Sequence, residues 1–325
     1  MDNLTHSLVG ALLGQAGLKK KTGLAMPALI IGANLPDVDA ACFFWLDGVE
    51  HLGFRRGITH GPPAMVLLPL ILAGLLYGFD RWQAKRGKRP EDRLPVNFKW
   101  LFLLSFIGCL THPALDWLNV YGIRLLEPFS SQWFYGDTLF IIDVWLWALM
   151  GFATWFSLRR EKRDGEWMRP ARVAIAVALA YIGVNGVISA QAANDVATQY
   201  HHGDHTAHTI SSPLPLAFWS REVIQTDVAP DYPVIYHLHH WKLGSGVIDT
   251  AVIPERPCGS QTVLKQTDET ASQLVAFVFW SRVPFLEAAE DGSVLVRDAR
   301  FYDPRARDRF TVALPDVKCE PLNVN

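Results

Sequence analysis

Apolar residues are distributed unevenly along the chain. Residues 62–79 form an uncharged apolar run, residues 139–158 carry one acid, Asp143, and residues 173–190 carry no charge. Each run is close to the roughly 20 residues that a helix needs to cross a bilayer. Residues 99–119 form a fourth run, polar only toward its end, and two weaker segments precede them, 4–18 and 24–46, the second apolar until Asp37. Residues 191–325 read differently. Runs of β-forming residues at Tyr232–Leu238, Ser245–Ile253, Gln273–Phe279, Ser293–Arg297 and Arg309–Val312 alternate with turn residues, the pattern of a small sheet-containing domain. The expected fold is therefore an α-helical membrane bundle of about five to six membrane-associated helices over residues 1–190, followed by a small soluble α+β or β domain over residues 191–325.

Charge refines this picture. Of the 325 residues, 19% are charged and the formal net charge is -2, so no global positive field suits nucleic acid and none is expected as a partner. The basic residues cluster in three places: Lys19 to Lys21, Arg81 to Lys99, and Arg159 to Arg172. Basic loops stay in the cytoplasm. With these three inside, the apolar segments alternate direction, and residues 191–325 are expected outside the cytoplasm. The polar residues of the membrane half then all fall at the outer ends of their segments. No CxxC spacing occurs among Cys42, Cys109, Cys258 and Cys319, which argues against a thiolate zinc site. Cys258 and Cys319 could pair in an oxidising compartment or remain free thiols.

Acids at membrane depth are costly, about 2.5–3.5 kcal/mol for an aspartate at a helix centre. Several in one layer also repel each other. A shared divalent cation neutralises such carboxylates and satisfies their oxygens. The spacings suit ligation. Asn34-Leu35-Pro36-Asp37-Val38-Asp39 sets two carboxylates one residue apart after a proline that disfavours helix at Leu35. His112 and Asp116 stand four apart, on one helix face. Pro113 is tolerable if a helical piece starts there. His6, Arg56 and His60 lie at the same end of their segments. Asp137 and Asp143 open the next segment and are possible additional ligands, although Gly136-Asp137 also reads as a turn. Imidazole with carboxylate suits zinc or manganese better than calcium.

These residues resemble the YdjM-like family of membrane-bound metal-dependent hydrolases. The ordered set is Thr5-His6-Ser7 with Gly10, Asn34 to Asp39, Arg56-Gly57-Ile58-Thr59-His60, His112 to Asp116, Asn119-Val120-Tyr121-Gly122, Pro128-Phe129-Ser130, and Asp137 to Asp143. The resemblance implies that His6, Asp37, Asp39, His60, His112 and Asp116 bind metal, and that the chain is a multi-pass protein of the bacterial inner membrane. The order His, Asp, His, then HxxxD is also similar to zinc-dependent phospholipases C and single-strand nucleases. Their later histidine pair and HxxxE have no counterpart before residue 200.

The resulting expectation is a metal-dependent hydrolase with one or two divalent ions, zinc first and manganese or magnesium as alternatives. Two ions would lie about 4 Å apart and activate a water. Asp37 or Asp39 would bridge them, and Arg56, or its neighbour Arg55, would neutralise phosphate charge in the transition state. Membrane lipids are the expected partners, and a phosphoester of a lipid or lipid-linked molecule the expected substrate. A metal-handling protein and a non-catalytic envelope protein with a structural metal are the competing readings. Two histidine clusters, His201, His202, His205 and His208, and His237, His239 and His240, could bind metal or be a solvated linker and an exposed strand face.

Overall fold

The structure is a computed structural model that describes residues 1–200, 208–226, 236–258, 268–304 and 306–320. It divides into two compact units, one of residues 1–40 and 56–186, the other of residues 41–55 and 187–325.

The first unit is helical. Helix α1 (Asn3–Gln15) begins at Asp2, whose carboxylate accepts from the Leu4 and Thr5 amides and so satisfies two of the orphan donors of a helix start. Helix α2 (Ala25–Asn34) stops just before Pro36, and the chain continues as a 3₁₀ segment, Leu35–Phe44. The proline thus breaks the segment as expected, because it disfavours α-helix in the residue before it. Helices α4 (Pro62–Lys85) and α5 (Phe98–Trp117) follow, then α6 (Val144–Glu161) and α7 (Met168–Gln199). Helix α5 runs unbroken through Pro113 rather than starting there.

Two apolar clusters hold this unit. One gathers Leu12, Leu115, Leu139, Leu146 and Met150; the other gathers Ala28, Leu29, Leu72, Leu101 and Leu104. Helix α2 is approached closely from two sides. A Cβ on Gly10 would lie 2.7 Å from the Leu29 carbonyl oxygen, and one on Gly108 would lie 2.6 Å from the same atom. Small residues that let backbones touch are the usual means of packing helices in lipid.

Four helical segments among the described residues are long and apolar enough to cross a membrane: Ala25–Phe44, Pro62–Lys85, Phe98–Trp117 and Met168–Gln199. Helix α6 was expected among them. Its 18 residues end in Arg159, Arg160 and Glu161, which leaves too short an uncharged stretch to qualify by length and composition alone.

The second unit contains two antiparallel sheets. The first has the order β1 (His208–Pro213), β2 (Ser220–Thr226), β3 (Tyr236–Lys242), β4 (Gly246–Ile253), with a bulge between His240 and Trp241. The second has the order β5 (Pro284–Ala288), β6 (Ser293–Asp298), β7 (Thr311–Lys318). Helix α8 (Asp268–Trp280) lies between the sheets in sequence. It corrects one expectation, since residues 273–279 read as a strand. The run is apolar from Leu274 onward, so alternation could not distinguish the two forms. Burial of Leu274, Phe277 and Trp280, three apart, shows the helical period. The unit also takes in α3 (Glu50–Phe54), which packs on α8. Cys258 and Cys319 form a disulfide. His201, His202 and His205 lie outside the described residues, as does the start of the run at Tyr232.

Candidate functional site

Helix α5 supplies the centre of the site. Its four-residue spacing puts His112 and Asp116 on one face, with His112 Nε2 3.6 Å from Asp116 Oδ2. Helix α1 brings His6, whose ring stacks on that of His112 at 3.8 Å between centroids and whose Nε2 lies 3.4 Å from Asp116 Oδ1. The 3₁₀ segment after α2 brings Asp37, its Oδ1 3.7 Å from His112 Nε2. The short turn Ile58–His60 brings His60, its Nε2 3.7 Å from Asp116 Oδ2. The backbone nitrogen of Met1 also contacts the Asp116 carboxylate. Two triads of potential ligand atoms result, His6 with His112 and Asp116, and Asp37 with His60 and His112, each within 4.8 Å. His112 is common to both.

The His112 and His60 rings are held so that one nitrogen of each faces inward. His112 Nδ1 lies 2.7 Å from the Ala33 carbonyl oxygen. A carbonyl only accepts, so Nδ1 carries the proton and Nε2 keeps its lone pair. Thr59 Oγ1 donates to Asp39 Oδ2 at 3.1 Å and accepts from His60 Nδ1 at 2.9 Å, which leaves the His60 Nε2 lone pair free in the same way. Burial pushes His60 well below the ordinary imidazole value, and Asp116 and Asp37 offset this only partly.

Arg56 is the counter-charge. Its Nε lies 3.0 Å from Asp116 Oδ2, its Nη2 donates to Asp116 Oδ1 at 3.3 Å, and its Nη1 donates to Asn119 Oδ1 and the Gly122 carbonyl. The guanidinium also sits 4.5 Å from the Tyr121 ring. To reach these partners Arg56 adopts a φ of 57°, a left-handed conformation that costs energy in a residue with a side chain and that gathers at functional sites. Its amide donates to Asp39 Oδ2 at 2.8 Å, and its carbonyl accepts from Arg124.

The structure thus brings His6, Asp37, Asp39, Arg56, His60, His112 and Asp116 together. Asp39 belongs to neither triad; its Oδ2 orients Thr59 and the Arg56 backbone. Arg56 engages Asp116. Neither Asp137 nor Asp143 is a member of the two triads. Asp143 caps α6, accepting from the Trp145 and Leu146 amides and from the Tyr181 hydroxyl at 3.0 Å. Asp137 takes a left-handed turn conformation, φ 47°. Sequence reasoning assigned no role to Thr59, Asn119 or Arg124, although the first two lie inside conspicuous motifs.

The donor set fits a divalent cation. His6 Nδ1 and Nε2, His60 Nε2, His112 Nε2 and Asp116 Oδ2 are buried and have no hydrogen-bond partner. Leaving such atoms unsatisfied costs about 1–3 kcal/mol each; a cation could take up the carboxylate oxygen and one nitrogen of each ring, the other His6 nitrogen carrying the ring proton.

A helical membrane protein with a buried His/Asp cluster at its helix ends is the class that fold and site define. Residues 1–192 match the family described as YdjM inner membrane protein, more than half of the chain, and the chain belongs to that family. It is also similar to the uncharacterized protein YfhP of Bacillus subtilis (strain 168), 27% identical over 167 residues, 48% of this chain and 47% of the relative, so it spans about half of that protein's length. No solved structure matches.

Proposed function

We propose that the chain is a membrane-bound metal-dependent hydrolase acting on a phosphoester of a lipid or lipid-linked substrate. The observation that carries this reading is the convergence of buried, unpartnered imidazole nitrogens on the Asp116 carboxylate. His6, His112 and Asp116 would hold one cation, and Asp37 and His60 would complete the set or help to hold a second, the single Nε2 lone pair of His112 serving only one of them. Imidazole with carboxylate favours zinc, then manganese or magnesium. Such a cation supplies Lewis acidity toward a phosphoryl oxygen and an activated water.

The chain's own residues prepare the ground. Ala33 fixes His112, and Thr59 with Asp39 fixes His60, so that the rings do not turn when the site changes charge. Arg56 compensates the Asp116 charge, donating to one oxygen and lying 3.0 Å from the other. Charged groups at the ends of apolar helices favour a substrate presented at the membrane surface.

The topology belongs to the same proposal. The basic loops lie in the cytoplasm, α6 crosses as a short fifth helix, and the sheet unit lies outside the inner membrane. The Cys258–Cys319 disulfide supports this side, because disulfides persist in oxidising compartments.

The test is to purify the protein in mild detergent, measure its metal content, and assay phosphate release from phosphoester lipids with zinc or manganese. Asp116→Asn is expected to lose both metal and turnover, and a chelator to abolish turnover of the parent. Equal turnover by parent and variant would reject the assignment. The near-complete burial of His6, His112 and Asp116 favours a second reading, a closed structural metal. Cobalt substitution separates the two: an absorption spectrum that shifts on adding phosphate indicates an open coordination position, and an unresponsive one indicates a structural ion.

A further inference from the structure

The last seven residues of helix α8, 274–280, are apolar on both sides. Leu274, Phe277 and Trp280 point into its own unit, while Val275, Val278 and Phe279 are exposed, Val275 at 62%. A helix apolar all round belongs in a core or against lipid, not against water. Helix α3 docks on α8 at Ala276: a Cβ on Gly53 would meet the Ala276 Cα at 3.1 Å. The segment that carries α3 exposes four large aromatics, Phe43, Phe44, Trp45 and Phe54, with Phe44 at 91%. Trp45 packs edge-on to Phe54, and the Arg55 guanidinium lies 5.5 Å from the Phe43 ring. Soluble proteins seldom expose contiguous apolar patches of this kind without a partner.

We propose that this face, formed by residues 43–54 and the outer side of α8, is seated in the headgroup and acyl boundary of the bilayer. Chain continuity identifies the occupant. Phe43 and Phe44 are the last residues of the apolar segment Ala25–Phe44, one of the four long enough to cross, so the patch starts where a span leaves the lipid. Its composition is that of an interfacial belt, with Trp and Phe at the apolar boundary and an arginine whose stem can lie along lipid while its head stays wet. Helix α8 then behaves as a monotopic helix carried by the sheet unit. The unit is fixed to the membrane surface at two places, through the chain and through α8, independently of what the His/Asp cluster does.

The experiment uses the full chain in lipid nanodiscs. A fluorophore is attached at Val275→Cys, Phe44→Cys or Glu290→Cys, the last an exposed charged position in the β5–β6 turn. Lipids with a nitroxide near the headgroup are expected to quench the labels at 275 and 44, and aqueous iodide to quench them at least about threefold less than the label at 290. Iodide quenching at 275 equal to that at 290 would overturn the proposal by showing a water-facing surface. Protection from both quenchers would overturn it too, by showing that a second copy or another protein covers the face. All three positions are exposed, so the substitutions leave the cores intact.

Discussion

Both units bury histidine, and they treat it in opposite ways. In the sheet unit His239 is enclosed, yet both ring nitrogens are engaged, Nδ1 with Thr250 Oγ1 at 2.9 Å and Nε2 with Gln225 Oε1 at 3.1 Å. One nitrogen donates, the other accepts, and the neutral ring is complete. In the helical unit His6, His60 and His112 are equally enclosed, and each keeps a nitrogen without a hydrogen-bond partner. The carboxylates repeat the contrast. Asp298 receives Arg300 at both oxygens, with the Ser281 hydroxyl and the Arg282 amide besides. Asp116 keeps an oxygen that accepts no hydrogen bond although Arg56 is beside it. Burial alone therefore does not mark a functional site here. The mark is burial with donor atoms held in place and left unspent.

That distinction is broken or sharpened most directly at His112, shared by both triads. His112→Ala is expected to abolish retention of metal in the purified protein, read by elemental analysis. The corresponding change in the sheet unit, His239→Ala, should leave metal content untouched. The orienting residues come next. Asp39→Asn and Thr59→Val remove the hold on His60 without removing a triad member, and metal affinity is expected to fall about 10–100-fold, measured by competition with a chromophoric chelator. Affinity unchanged in both variants would show that the Thr59–Asp39 pair does not position His60. Smaller again is the stability effect of His239→Ala, which leaves Gln225 and Thr250 without their partner and should lower unfolding stability by about 1–3 kcal/mol in thermal melts.

Much of the helical unit was legible because its chemistry is local. The four-residue spacing of His112 and Asp116 needs only a helix to put both groups on one face, and Pro36 needs only steric exclusion to end α2 where it does. Roles were less legible than membership. Asp39 and Asp37 look alike in sequence, and only the left-handed turn at Arg56 brings that amide onto Asp39. Nothing local to Arg56 announces its contact with Asp116, 60 positions away. The misread strand at residues 273–279 has another cause. Where both faces of an element are apolar, alternation vanishes, and a helix with one side in the core and one side exposed gives the same string as a buried strand.

The gentlest perturbation is acid, and it bears on the satisfied carboxylate. Burial alone would raise the Asp298 carboxyl; the Arg300 guanidinium and the Ser281 hydroxyl outweigh it and hold the group below the usual carboxylate range. A carboxyl depressed in the folded state binds its proton more readily when unfolded. Its contribution to stability is therefore complete above the unfolded value, about 3.9, and is lost as pH falls through the lower folded value. Thermal melts of the parent and of Asp298→Asn should differ by a constant gap between roughly pH 8 and pH 5, and that gap should close only in more acid solution. The difference between the two proteins removes the acid sensitivity that they share. A gap that already narrows near neutral pH would mean that Asp298 is not held as the Arg300 geometry requires, and the contrast between a completed and an open carboxylate would lose its reference point.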